Sequence, residues 1–567
     1  MTSMSQQTSA GGSARTSYTY NSFGEVLTMT DALGDVTTNT YDSHGNLLTV
    51  TSPKPNGSTA GSVTQFAYNS LGELTQITDP LGRITKLTYT SVGLISTITD
   101  PQQNVTTYQY DSRGNRTSIT DAMNNTTTFA YDSGSRLLTI TYPGGTTATS
   151  FTYDYRGRRI TMTDQNNKTT TYAYDDADRL VTVTDPATNK TQYSYDTENN
   201  LLSIEDANSH TTSFTYDAFG RVTETSFPST HYEQYAYDAA NNLISKTDRK
   251  GQTINYVYDD MNRLTPDSTS VEYVYDLVGK IRQVTDPTGT YGFAYDNMGR
   301  LVGTTTQYTF LPLNNFTNSY TYDADSNRLT LTDPQGGVTS YAYDTLNRLS
   351  TLTPPTAFSS TGFGFTYDAL SRRTQMTRPN GVTTNYTYDN LSHLLSVLHQ
   401  VSASTIDGAA YTYDSAGNRT AKTNELSAVT SNYTYDPLYE LTQVTQATNT
   451  TESYSYGLSS FIFKRANGTL TLLDKNGNVV LVCDAGNNTA KHSEGPWPNG
   501  TYPYSWHHNH PADPNGPFGS YGIFIFTVPG RPGMGVHSGR ANSGGPKHPT
   551  EGCVRTTDNC MQQINNF

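Results

Sequence analysis

The sequence predicts an all-β protein, built mostly from one repeated hairpin and followed by a smaller β-rich domain of different make-up. Three observations carry this. Tyr followed by Asp recurs with a period near 21, and Tyr153, Tyr174, Tyr195, Tyr216, Tyr237 and Tyr258 are each spaced by 21. The chain has 43 tyrosines in 567 residues, although hydrophobic residues make up only 34% and charged residues 15%. Disorder would need few aromatics and much charge, so the apolar area is carried by Tyr, whose ring packs while its hydroxyl finds a partner. Thirdly, the composition changes near residue 458. All three cysteines (Cys483, Cys553, Cys560), both tryptophans (Trp497, Trp506) and six of 11 histidines follow that point.

The elements follow in order. Met1 to Ser17 is small and polar, so a disordered segment over 1–17 is expected, without the apolar core of a signal peptide. Export would then use another route, or the sequence would belong to a longer chain. Residues 18–457 form the repeat body, and Tyr110, Tyr131, Tyr295, Tyr322, Tyr343, Tyr367, Tyr388, Tyr413 and Tyr435 continue the series with small insertions. One unit runs from Tyr172 to Pro186. The alternation Tyr172-x-Tyr174 places both rings on one strand face. Asp-x-x-Gly-Asn or Asp-x-x-Asn-Arg then makes a tight turn, because Gly and Asn tolerate left-handed backbone. A short Leu/Thr/Ile strand closed by Thr-Asp-Pro ends the unit. Such a hairpin cannot bury its own face, so stacking on its neighbours must supply the core.

Residues 458–567 form the second domain. Gly468 to Cys483 predicts a hairpin turning at Asn476-Gly477. Pro498 to Tyr504 is expected as a loop entering a strand, and Ile523 to Val528 as a buried strand. Pro529 to Thr550 is expected as loop, and Asp558 to Ile564 as a helical turn.

Charge and length exclude several functions. From residue 461 onward eight Lys or Arg face six Asp or Glu, a net of +2; the remainder carries 28 against 44, a net of −16. An acidic body repels phosphate backbones, so nucleic-acid binding is not expected. No run of 18 apolar residues is present, which excludes a membrane-spanning helix. Three cysteines make no disulfide framework. A Cys483–Cys560 bridge with Cys553 free is one arrangement among several.

The repeat closely resembles the YD repeats of the RHS family, over about 440 residues and some twenty copies of one motif. The resemblance implies a β-ribbon that spirals into a hollow shell, which in that family holds a variable C-terminal toxin. The junction Tyr456-Gly-Leu-Ser-Ser-Phe-Ile-Phe-Lys464 departs from the family. It lacks the Asp-Pro-x-Gly-rich segment that in some members accompanies self-cleavage by aspartate.

The candidate chemistry lies near the C-terminus, where His537 precedes Thr550-Glu551-Gly552-Cys553-Val554-Arg555 by a Gly-rich connection. A cysteine is only slightly ionised at neutral pH and needs a base or positive neighbour to become a thiolate. His537 supplies the base and Arg555 positive charge. Backbone N–H groups around Gly552, Cys553 and Val554 can form an oxyanion hole, where Gly allows close approach. Ser538 and Arg540 are candidates for orienting His537 or holding substrate. Papain-like peptidases place Cys before His, the reverse of the order here. Trp506-His507-His508-Asn-His510 has only Asp513 nearby and lacks the paired spacing of a structural zinc site, so it is expected as a His-rich loop and no metal is assigned. No cofactor is needed.

The pattern His, loop, Ser/Thr-x-Gly-Cys-apolar-Arg resembles the L,D-transpeptidases, in particular the branch serving as type VI secretion effectors. Thr550, Gly552, Cys553, Val554 and Arg555 fit it, as does Pro498-Asn-Gly-Thr501; Glu551 stands where many housekeeping members have His. The resemblance implies an antibacterial toxin in which Cys553 attacks tetrapeptide stems of peptidoglycan, as an L,D-carboxypeptidase or by D-amino acid exchange. It also implies delivery to the periplasm of target bacteria, a cognate immunity protein, and secretion or chaperone partners. Two other readings stay open: a cysteine peptidase acting on protein, and a non-enzymatic YD-repeat surface or adhesion scaffold.

Overall fold

The computed structural model describes residues 3–7, 13–55, 60–145, 147–229, 231–265, 271–446 and 451–453. Beyond these it describes the strands Ser460–Lys464, Thr469–Leu473, Val479–Asn488, Gly500–Tyr502, Tyr504–His508, Ile523–Val528, Arg531–His537 and Cys553–Thr556. The chain divides into two compact units, Met1–Asn418 with Thr423–Ala428, and Arg419–Lys422 with Val429–Phe567. Among the described residues every regular element is a β-strand, as the all-β reading expects.

The hairpin at residues 169–195 shows how the sequence makes the fold. Strand Thr169–Tyr174 pairs antiparallel with Leu180–Thr184, Tyr172 lying opposite Val183. Thr170, Tyr172 and Tyr174 are half-buried on one face, whereas Thr171 and Ala173 are exposed on the other. At Tyr174 the register shifts by one residue. This bulge follows from a turn that ends on a left-handed residue, Asp178 at φ 66°. Gly or Asn holds the same place elsewhere, as in Gly114 at 86° and Asn347 at 60°.

The turn is held by one carboxylate. Asp175 Oδ1 accepts the backbone N–H groups of Ala177 at 3.0 Å and Arg179 at 2.9 Å. The Thr-Asp-Pro turn repeats the device, with Asp185 Oδ1 accepting Ala187 N at 2.9 Å and Asn189 N at 2.8 Å. Both turns of this unit therefore close by the same chemistry, and the chain proceeds as an antiparallel meander into the next hairpin.

Successive hairpins are joined by a side-chain ladder. The Tyr195 hydroxyl donates to the Leu180 carbonyl at 2.9 Å, and Tyr216 to Leu201 at 2.8 Å. Arg179 closes its own turn on Asp175 Oδ2 at 2.8 Å, and reaches the Asp196 carbonyl of the next turn at 2.6 Å. Its guanidinium also stacks over the Tyr195 ring, 5.0 Å from the centroid. Arg158, Arg221, Arg348 and Arg372 repeat all three contacts. Where Asn replaces Arg, as at Asn200, the side chain serves its own Asp196. The exposed face carries Thr pairs such as Thr152–Thr161 at 2.5 Å and Thr321–Thr330 at 2.6 Å.

Within the first unit the ribbon spirals. Arg83 reaches the Asp344 carbonyl at 3.2 Å and Asn347 at 2.8 Å, and pairs with the Asp325 carboxylate. Arg348 reaches Gln102 at 3.1 Å, Arg372 the Met123 sulfur at 3.2 Å, and Asn166 Nδ2 donates to Asp414 at 2.9 Å. These partners are 242 to 264 residues apart, or about twelve hairpins of 21 residues. In each case an Asp-Pro-side turn of the first coil meets a Tyr-Asp turn of the second.

Two expectations need correction. Among the described residues Ala409 is the single buried hydrophobic side chain. The Tyr rings are half-buried rings in a wall one sheet thick, because a spiralling ribbon has no second layer to pack against; a densely packed Tyr core is not what forms. The segment expected to be disordered, 1–17, contains strand Ser3–Gln7 paired with Ser13–Tyr20. Its polar residues pair through the backbone, and Tyr20 already shows the bulge of the repeat against Val26–Thr30.

Hydrogen bonding sets the ionisation of the turns. The carboxyls of Asp111, Asp196, Asp217 and Asp238 lie below the ordinary 3.8, first through side-chain bonds from Asn115, Asn200, Arg221 and Asn242. Asp132 and Asp175 lie below it first through the backbone N–H groups of Arg136 and Arg179. Desolvation raises the phenols of Tyr195, Tyr216 and Tyr258 above the ordinary 10.0.

Two outcomes are expected. Replacing Tyr195 by Phe removes one hydroxyl-to-carbonyl bond, costs about 1 kcal/mol, and should raise hydrogen exchange about fivefold in the hairpins on either side of residue 195. Unchanged protection there would remove the ladder from the account. For pH, carboxyls with lowered folded pKa stabilise the wall above their unfolded value, and this contribution is lost as pH falls through the folded values. Phenols with raised pKa stabilise it below their unfolded value, and this is lost as pH rises through the folded ones. Protease resistance should therefore hold between about pH 5 and 9 and decline below about 4 and above about 10. Equal resistance at pH 5 and pH 3 would contradict the role given to the turn carboxylates.

Candidate functional site

The C-terminal strands form a mixed sheet in the order Gly500–Tyr502, Ser460–Lys464, Thr469–Leu473, Val479–Asn488, Cys553–Thr556, Arg531–His537, Ile523–Val528, Tyr504–His508. The hairpin expected over Gly468 to Cys483 is present, with Leu470 opposite Cys483, and so is the strand Ile523–Val528. The expected turn at Asn476-Gly477 and the helical turn at Asp558 to Ile564 lie outside the described residues.

The loop expected over Pro529 to Thr550 is corrected in part, because Arg531–His537 is a strand paired on both sides. Pro532 falls beside the register shift between Phe526 and Val528, where a missing N–H is tolerated. Long-range backbone partners override the local bias of Gly533 and Gly535. The His-rich stretch is likewise partly strand, with His507 opposite Phe524 and His508 opposite Ile523. Residues 509–522 lie outside the described residues.

This topology brings the two principal candidates together. Strand Arg531–His537 runs parallel to Cys553–Thr556, with Val536 opposite Val554 and His537 opposite Arg555. Cys553 thus begins a strand whose third residue faces His537 in register. On its other side Cys553 lies opposite Asn488 and Val554 opposite Asn487. Those two asparagines went unmarked in the sequence, because a pairing across 65 residues leaves no local signal. Ser538, Thr550, Glu551 and Gly552 lie outside the described residues, as do Arg540, Asp513 and Cys560.

Among the described residues no group of three or more His, Cys, Asp or Glu could hold a metal, and no helix is long and apolar enough to cross a membrane. A cavity of about 460 Å³ on the seam between coils is lined by Asp79, Arg300, Tyr322 and Asp323. Arg300 is already committed there, to Asp296 at 2.7 Å and the Asp323 carbonyl at 2.9 Å.

Comparison with known proteins bears on the wall. The Teneurin YD-shell family matches residues 3–169 and 207–363, together more than half of the chain. RHS Repeat matches residues 153–190. Among curated proteins none matches in sequence. The crystal structure of TcdB2-TccC3 is similar in fold, at 16% identity and TM-score 0.52, covering 85% of this chain and 32% of that one. A Photorhabdus luminescens Tc holotoxin pore gives 16% identity and TM-score 0.47, covering 90% and 29%. The chain therefore spans about a third of the length of the first of these structures. The wall of Tyr-Asp hairpins and the profile that runs through most of it agree: the chain belongs to the teneurin YD-shell family.

Proposed function

We propose that this YD-shell protein is an antibacterial toxin whose C-terminal domain is a cysteine acyltransferase acting on the peptide stems of peptidoglycan. The observation that supports it is the parallel pairing of Arg531–His537 with Cys553–Thr556, which sets an imidazole-bearing residue and a thiol-bearing residue on neighbouring strands. Resemblance of the surrounding motif to L,D-transpeptidases supplies the substrate class.

In the reaction so read, His537 takes the thiol proton of Cys553, and the thiolate adds to the carbonyl of the third stem residue. Backbone N–H groups near Gly552 and Val554 stabilise the oxyanion. The C–N bond to the terminal D-Ala breaks, and the leaving amine takes the proton from the imidazolium. Water, or the amine of a free D-amino acid, then attacks the thioester, and the thiol is restored. Thr550 and Ser538 are assigned to substrate binding by the motif, and Arg555 attracts the stem carboxylate. Loss of these donor stems weakens the wall of a competitor, so the site of action is the periplasm. An immunity protein in the producing cell and a secretion apparatus or chaperone are the partners this requires.

The test is release of D-Ala from tetrapeptide stems by the full chain. Cys553→Ala should abolish it, and His537→Ala should slow it by about 10²–10⁴ fold, the range of a positioned base. Because the two act as one unit, the double variant should be no worse than Cys553→Ala alone. Cys483→Ser and Cys560→Ser should keep turnover. Arg555→Lys should keep part of it if only charge matters, and little if a carboxylate is gripped through two bonds. Full activity in Cys553→Ala would overturn the assignment. Cleavage of proteins but not stems would favour a peptidase, and periplasmic expression indifferent to Cys553 would favour a scaffold.

A further inference from the structure

The two rims of the spiral are not equally occupied. Where the second coil meets the first, the third residues of four Tyr-Asp turns are drawn into the seam: Met298, Leu346, Leu370 and Leu391 are all half-buried. On the Tyr-Asp rim of the first coil the equivalent residues stand in the open. Phe23 is 82% exposed, Leu71 80% and Val92 76%. The turn geometry is the same in both places, for Leu71 N and Glu73 N bond Asn69 Oδ1 just as Leu346 N and Arg348 N bond Asp344 Oδ1. The difference is therefore occupancy, not conformation. The opposite, Asp-Pro-side rim of the second coil also bears open apolar groups, Leu313 at 95% and Phe358 at 81% exposed.

We infer that the Tyr-Asp rim of the first coil is a docking edge for a second copy of this chain, which approaches with the Asp-Pro-side rim of its own second coil. Continuity with the seam inside the chain carries the inference. There a rim of the second type already covers a rim of the first, through Arg83 on Asn347 and Arg348 on Gln102, with apolar turn residues between. Among the described residues one rim of each type carries these open apolar groups. Rims that differ make a head-to-tail contact, which propagates and does not close on itself. Exposed apolar residues recurring along one rim are the mark of an interaction surface. This inference concerns the wall and is independent of the chemistry at Cys553.

Sedimentation of the full chain over a range of concentrations tests it. The expected result is a concentration-dependent series of species extending beyond the dimer. Phe23→Ser with Leu71→Ser and Val92→Ser, and separately Leu313→Ser with Phe358→Ser, should each raise the dissociation constant at least about tenfold, with far-UV circular dichroism unchanged. Mixing the two variants should restore association but stop it at the heterodimer, since each retains one sound rim. A monomer at every concentration would overturn the inference. So would a closed dimer insensitive to either set, or binding of lipid vesicles in place of self-association.

Discussion

A side-chain oxygen at the head of the turn, in most hairpins an Asp carboxylate, carries the architecture. Asp175 holds two backbone N–H groups on one oxygen and the Arg179 side chain on the other, and the same arrangement recurs at Asp132 and Asp368 among others. It determines where the chain reverses and where the bulge falls. The position of the next Tyr follows from that bulge. Because the bulge recurs in hairpin after hairpin, most strand pairs gain twist at the same point, and a ribbon of like twists curls. The seam distance of about twelve hairpins is thus a sum of local geometries that no single contact dictates.

A wall made this way has almost no fully buried apolar interior among the described residues. Leaving aside Ala409, hydrophobic side chains among the described residues are partly rather than fully buried, so repeated polar contacts and stacking of Arg over Tyr add to the cohesion of the wall. The ladder is one-dimensional, since each rung joins only adjacent hairpins. It survives interruption for that reason. Where the long sheet breaks after Thr253–Asn255, Tyr275 still donates to the Leu264 carbonyl at 3.0 Å and Arg263 still reaches the Asp276 carbonyl at 3.0 Å. The coils add a second direction of contact, and there the partners are few and specific.

The repeat was legible because its determinants are local. A period of 21, an Asp before each turn and a Gly or Asn at the left-handed position all lie within one hairpin, so reading one unit reads them all. Arg179 reaching the next turn was not legible as a contact, though Arg at the fifth turn position recurs plainly. The seam was hidden, because Arg83 and Asn347 share no pattern that marks them as partners. At the C-terminus the same contrast holds. The Thr469–Leu473 hairpin is local and was foreseen. Strand Arg531–His537 depends on neighbours far along the chain and was read as loop. His537 and Cys553 were singled out for residue type and order, and parallel pairing, a long-range property, is what sets their strands side by side.

The third turn residue shows how such a fold can vary without losing itself. Asp at the first position and a left-handed residue at the fourth determine the turn, so the third is under no backbone demand. It is Phe in one hairpin, Arg, Glu or Ala in others. A position released from folding is the one on which contacts between coils can be written, and in the second coil it is used so: Met298 lies by Ser52, and Asp325 pairs with Arg83. Sheets must deal with their edges. This ribbon has long rims of turns in place of strand edges, so what lies against it is decided by side chains at one repeated position rather than by unpaired backbone.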